Sequence, residues 1–199
     1  MGCNYANQKR EDEAGLENRC AFCREPVPKS QEEGDKHVLK RIKENNDPAA
    51  MCHMGLKRKN EGDYETALEY WTKAAVLGES DAHYYLSIMY REGEGVAKDK
   101  KKEVYHLEEA AIGGHPMARH NLGIVEKDNG RFEIEKKHFI IAANLGLNNS
   151  LKCIKDLHTM GHASKEEYAG ALRAYQTAVE ATKSQQREEA EAYYKARNI

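Results

Sequence analysis

Apolar and small residues recur along this chain at the spacing of one helical face, and the pattern repeats. Three segments open on alanine and close on a large apolar residue followed by a small one. They are Ala50-Met51-Cys52-His53-Met54-Gly55, Ala82-His83-Tyr84-Tyr85-Leu86-Ser87 and Ala118-Arg119-His120-Asn121-Leu122-Gly123. A second signature follows each: Trp71-Thr72-Lys73-Ala74-Ala75-Val76-Leu77-Gly78, Leu107-Glu108-Glu109-Ala110-Ala111-Ile112-Gly113-Gly114 and Phe139-Ile140-Ile141-Ala142-Ala143-Asn144-Leu145-Gly146. The first signature recurs after 32 and then 36 residues, the second after 36 and then 32. Self-similarity at this period predicts a stack of helix pairs. The expected pairs are about 48–61 with 64–77, 81–92 with 100–113, 116–129 with 131–145, and a degenerate pair at 149–160 with 165–183.

Local chemistry supports these limits. Alanines and other small residues suit positions where two helices cross, since larger side chains would hold the backbones apart. Gly78, Gly114 and Gly146 each follow an apolar run and can take the left-handed conformation that ends a helix. The middle repeat carries a longer loop, Gly93 to Asp99, with Val96 turned inward and Asp99 as the next cap. The short repeats turn through Glu61-Gly62-Asp63-Tyr64 and Asn129-Gly130-Arg131-Phe132. Ahead of the pairs, Ser30-Gln31-Glu32-Glu33 reads as a capping box, and Val38, Leu39 and Ile42 form one stripe. A helix over 29–46 is therefore expected to cover the N-terminal end of the stack. Asp47 and Pro48 stop it and start the next helix. Ser164-Lys165-Glu166-Glu167 is a second capping box.

Ala-x3-Leu-Gly, then Tyr-x2-Gly-x-Gly-Val-x2-Asp, then Ala-Ala-x2-Gly-x3-Ala resembles the Sel1-like repeat, a relative of the tetratricopeptide repeat. Its most specific piece is Tyr90-Arg91-Glu92-Gly93-Glu94-Gly95-Val96-Ala97-Lys98-Asp99. The resemblance spans roughly two-thirds of the chain. Repeats one and three lack the Gly-x-Gly-Val loop. The expected fold class is all-α: an α-α solenoid of Sel1-like helix-pair repeats with a small irregular N-terminal segment. The expected divisions are 1–28, a capping helix at 29–46, and the solenoid with a C-terminal capping helix at 47–199.

Composition narrows the function. Charged residues make up 32% of the chain, yet the net charge is only -2. That balance argues against nucleic acid and against a polybasic membrane anchor as partners. No apolar run approaches the ~20 residues of a membrane span. No signal peptide is legible, so a reducing, cytoplasmic setting is expected. Five cysteines, an odd number, do not suggest a disulfide framework.

Residues 1–28 differ in character. Cys20-Ala21-Phe22-Cys23-Arg24-Glu25-Pro26-Val27-Pro28 carries the Cys-x2-Cys spacing with which two thiolates grip one tetrahedral ion. With Cys3 it resembles the C-terminal half of a RING finger. The resemblance implies Cys3 in the first zinc site, Cys20 and Cys23 in the second, and Arg24 at the linchpin position. Two tetrahedral sites need eight ligands and three match, so the segment reads as a remnant, or as a chain that starts inside the finger. No cofactor is expected, with zinc entering only where the RING half is completed upstream. Met1-Gly2-Cys3 suggests acylation, but Ala6 stands where Ser or Thr is preferred.

Nine histidines invite a metal reading. His106 and His138 fall where the first repeat has Tyr70, four residues before the Ala-Ala pair, which marks a half-buried packing position. His158 and His162 are four apart, but Gly161 between them suggests that the helix is ending. The Lys98–Lys102 cluster reads as a solvated loop and first helical turn. Trp71, Leu107 and Phe139 share one repeat position and are assigned to the core. Cys52 and Cys153 are read as small buried or half-buried residues. No phosphate loop, nucleophile elbow or catalytic triad pattern is present.

Two functions remain. One is a non-enzymatic scaffold or adaptor that binds a protein or peptide through its repeat surface, as the Sel1-like resemblance implies. The other is a RING-type ubiquitin-ligase component with a truncated zinc finger. For the first, the positions one to three after each repeated alanine are expected to line a concave face. They carry Cys52, His53, His83, Tyr84, Arg119, His120 and Asn121. His53, Tyr84, Arg119 and His120 are the expected partner-binding residues, with Tyr84 and Arg119 near the centre.

Overall fold

Asp47 shows how the helices begin. Its Oδ1 accepts the Ala50 N–H at 3.1 Å, and Pro48 occupies the first turn, where its missing N–H costs nothing. Asp63 and Asp99 repeat the device, accepting from Thr66 and from Lys101 and Lys102. His115 does it with an imidazole, whose Nδ1 accepts the Ala118 N–H.

The computed structural model describes residue 28 and residues 30–182. Among them are nine helices and no strand: α1 (Gln31–Asn45), α2 (Pro48–Asn60), α3 (Tyr64–Val76), α4 (Ser80–Glu92), α5 (Lys100–Ile112), α6 (Pro116–Asp128), α7 (Phe132–Asn144), α8 (Asn148–Thr159) and α9 (Lys165–Ala181). The helices pair as expected: α2 with α3, α4 with α5, α6 with α7. All six are 13 residues long. Equal lengths of about 20 Å let successive pairs stack without overhang.

The helices end alike too. Gly78, Gly114 and Gly146 all have φ near +85° (85°, 84° and 85°). In each case the glycine N–H returns to the carbonyl three residues back, and the next N–H returns five, as in Gly78 to Ala75 and Glu79 to Ala74. This closure needs a left-handed residue, and glycine adopts it without strain. At Ser164 the capping box is reciprocal: Glu167 N–H donates to Ser164 Oγ, and Ser164 N–H donates to the Glu167 carboxylate.

The chain divides into two compact units. One is His37–Ala178; the other comprises Met1–Lys36 and Val179–Ile199 and lies mostly outside the described residues. Within His37–Ala178 the core forms three clusters. Trp71, Met51, Leu86 and Met89 form the first, with Ile42 of α1 packed against it. Leu107, Ala110, Ala118 and Leu122 form the second; Phe139, Leu151, Ile154 and Ala171 form the third. Each cluster draws on helices of successive pairs, so every pair buries its face against its neighbours. Trp71, Leu107 and Phe139, assigned to one core position, are all buried. Each contributes roughly 1.5–3 kcal/mol through burial.

Candidate functional site

Successive helical residues turn by about 100°, so three consecutive positions fan across some 200° and cannot share a face. The structure shows this for the row after the repeated alanines. His53 is exposed, while Tyr84 and Arg119 are half-buried. His120 is buried; its Nδ1 lies 2.9 Å from Ser150 Oγ and its ring packs against Phe139. Cys52, two residues after its alanine like His120, is buried as well, and burial pushes its thiol up to about 12. Its carbonyl accepts the Trp71 indole N–H at 3.1 Å. Tyr84, at the same position, stacks on His115 with ring centroids 4.2 Å apart. Of the three positions expected to line a concave face, the second therefore turns into the seam between pairs.

The face the first helices leave open lies one turn further on. Leu56, Ile88 and Ile124 stand six residues after Ala50, Ala82 and Ala118, and all are partly open to solvent, Ile124 at 40%. Three residues before them are His53, Tyr85 and Asn121, on the same side of each helix. Tyr85 stacks on Trp71 at 4.9 Å, which fixes its ring while leaving it partly exposed. The signal was present in the sequence as a large aliphatic residue at one position in three successive repeats.

The position one after the alanine faces the second helix of its own pair. His83 Nδ1 lies 3.1 Å from His106 Nδ1. The His106 ring stacks parallel to Tyr90 at 5.6 Å and meets Tyr105 edge-on at 5.0 Å. Burial, then the charges of His83 and Lys102, lowers His106 to about 4, so it is neutral at ordinary pH. Lys102 Nζ sits over the Tyr90 ring at 4.9 Å. One repeat later the equivalents are Arg119 and His138. Burial first, and Arg119 second, lowers the proton affinity of His138, whose Nδ1 is buried without a hydrogen-bond partner.

The other histidine pair does not converge. His158 Nδ1 meets the Ala163 carbonyl at 2.8 Å, and His162 stacks on Phe132 beyond the end of α8. Among the described residues, no group of three or more His, Cys, Asp or Glu side chains could hold a metal ion. Cys3, Cys20, Cys23 and Arg24, which carry the RING resemblance, lie outside the described residues.

No family model matches the chain. No curated protein matches it either. Solved structures do. A Sel1 repeat protein from Oxalobacter formigenes superposes with a TM-score of 0.64 at 27% identity, over 78% of this chain and 66% of that one. A protective antigen present in uropathogenic Escherichia coli strains, displaying an SLR fold, gives 0.59 at 22% identity, over 85% of this chain and 37% of that one. This chain thus spans less than two-thirds of either protein's length. Its fold is that of Sel1-repeat solenoid proteins.

Proposed function

We propose that this chain is a non-enzymatic adaptor that docks a protein or peptide on the open face of its first helices. The observation that carries the reading is the aliphatic row Leu56, Ile88 and Ile124, one residue per repeat and each partly exposed. A solenoid stacks such positions into a continuous strip, and partly desolvated aliphatic and aromatic side chains contribute most where a partner excludes water. His53, Tyr85 and Asn121 flank the strip and add hydrogen-bonding capacity. Tyr84 and Arg119, both half-buried, would touch a partner only at its margin; His120 serves packing. No helix among the described residues is long and apolar enough to cross a membrane. A cytoplasmic setting, where Cys52 and Cys153 persist as thiols, belongs to the same proposal.

The test is cross-linking capture with the wild-type chain and with Ile88→Glu/Ile124→Glu. Both positions are partly exposed, so the double variant is expected to melt close to wild type. A partner that cross-links to α2, α4 and α6 in the wild type and is lost in the variant supports the reading. Equal capture by both chains, or cross-links confined to α3, α5 and α7, refutes it.

A further inference from the structure

We infer that His83 and His106 form a two-imidazole site for a divalent transition-metal ion of the nickel or copper type, bridging α4 and α5. Their Nδ1 atoms are 3.1 Å apart. With metal–nitrogen bonds of about 2.0–2.1 Å, neighbouring ligand atoms in a square or tetrahedral shell lie roughly 2.9–3.4 Å apart. The two nitrogens therefore already stand at ligand spacing. They come from different helices, and the His106 ring is held on two sides by Tyr90 and Tyr105. A site on rigid elements whose rotamers are fixed by packing is ready before the ion arrives. Both rings are half-buried, which leaves an approach for the ion and for water in its remaining positions.

Repeat packing does not demand the imidazole pair: the same two positions carry Met51 with Tyr70 in the first pair of helices and Arg119 with His138 in the third. The donor set selects the ion. Two nitrogens completed by water suit the tetragonal preference of nickel and copper, whereas a structural zinc site takes four protein ligands. One group opposes binding. The Lys102 ammonium rests over the Tyr90 ring and its charge reaches His106. The competing account is a plain N–H···N hydrogen bond between the two rings, which gives no metal dependence.

The experiment uses the full chain carrying Cys3→Ser, Cys20→Ser and Cys23→Ser, so that those thiols do not compete, with Ni²⁺ as the probe. Calorimetric titration at neutral pH should show one saturable site. His83→Gln and His106→Gln should each weaken it at least about tenfold, since each removes one of two ligands. His53→Gln, on an exposed histidine, should leave it unchanged, and Lys102→Gln should tighten it. Ni²⁺ should raise Tm in the parent and not in the two ligand variants. No saturable binding, or ligand variants that bind like the parent, overturns the proposal. Should either variant fail to fold, substoichiometric Ni²⁺ on the parent decides. Paramagnetic broadening must reach the ring signals of His83 and His106 before that of His53; the reverse order refutes the site.

Discussion

The Gly55 backbone lies against the Trp71 indole so closely that a Cβ built on Gly55 would stand 2.5 Å from Trp71 Nε1. The third repeat shows the same relationship: a Cβ on Gly123 would stand 2.6 Å from Phe139 Cε1. The middle repeat carries Ser87 and the smaller Leu107 at these two positions. The small residue on each first helix thus matches the size of the core residue on the second. Gly55→Ala and Gly123→Ala should each destabilise by roughly 1–3 kcal/mol, because the aromatic ring must shift within a packed core. Ser87→Ala removes only the hydroxyl that donates to the Tyr84 carbonyl at 2.6 Å and should cost about 1 kcal/mol or less. Urea unfolding of the three variants checks the order. Glycine variants as stable as wild type would mean that the helices do not approach this closely.

Glu135 occupies the repeat position held by Ala67 and Glu103, seven residues before the second signature's first alanine, and all three are buried. Glu103 meets the Lys100 ammonium at 3.2 Å, but Glu135 Oε2 has no hydrogen-bond partner. Burial raises the Glu135 pKa above its ordinary 4.5, against the opposing charges of Lys127 and His162. A carboxyl with a raised folded pKa holds its proton more tightly when folded. It costs no stability below the unfolded value, and the cost grows as pH rises from there through the folded value. Glu135→Gln should therefore be more stable than wild type at neutral pH, by about 1 kcal/mol. The advantage should vanish near pH 4, close to the ordinary pKa of 4.5. Thermal melts across that range would show the two curves converging on the acid side; parallel curves refute the assignment.

Lys136, the next residue, is buried yet fully engaged. Its Nζ lies 3.0 Å from Glu133, 2.9 Å from Glu167 and 3.2 Å from the His162 carbonyl. It ties α7 to the loop and first turn of α9. Lys136→Met keeps the stem and removes the charge, so the loss should come from the three contacts, roughly 1–3 kcal/mol. The Ser164 N–H, and then Lys136, hold the Glu167 carboxyl below its ordinary value. That contribution is present above the unfolded pKa and is lost as pH falls through the folded one. Hydrogen exchange should show the first turn of α9 opening sooner in the variant while α2 and α3 stay protected. Uniform change along the chain would argue against a local tie.

The helices were legible because their limits are written in short-range chemistry. Asp47–Pro48, Asp99, the three glycines and the Ser164 box all act within four residues of the bond they make. Observed limits fall within one or two residues of those expected. The core position of Trp71, Leu107 and Phe139 was legible because the repeat displayed it three times. The face proposed for docking was not, since it depends on which way each residue turns around its helix. His120 was placed on the open side, yet it turns toward Ser150, 30 residues away in sequence. The approach of His83 to His106 likewise joins residues 23 apart with no motif linking them. Such pairs follow from how helices cross, which spacing along one strand of sequence does not encode.

The seam between the second and third pairs yields the last prediction. His115 Nδ1 accepts the Ala118 N–H at 3.2 Å and so caps α6; its Nε2 lies 3.5 Å from Asp81 Oδ1, and Tyr84 stacks on its face at 4.2 Å. An acceptor at Nδ1 requires that nitrogen to be unprotonated, with the ring proton on Nε2 toward Asp81. Burial lowers the His115 pKa below its ordinary 6.5, against the opposing pull of Asp81. The unfolded chain therefore binds the proton first as pH falls. The cap's contribution is whole above pH 6.5 and declines below it until the folded pKa is reached. His115→Asn keeps an acceptor at the cap and cannot titrate, so its stability should fall less steeply than wild type over that window. His115→Ala should lose the cap, about 1 kcal/mol, at every pH. Burial depresses His106, His120 and His138 too, so the measurement is the difference between the wild-type and Asn profiles. An Asn variant that slopes as steeply as wild type between about pH 7 and pH 5 would show that protonation elsewhere, and not the cap, carries the acid sensitivity of this seam.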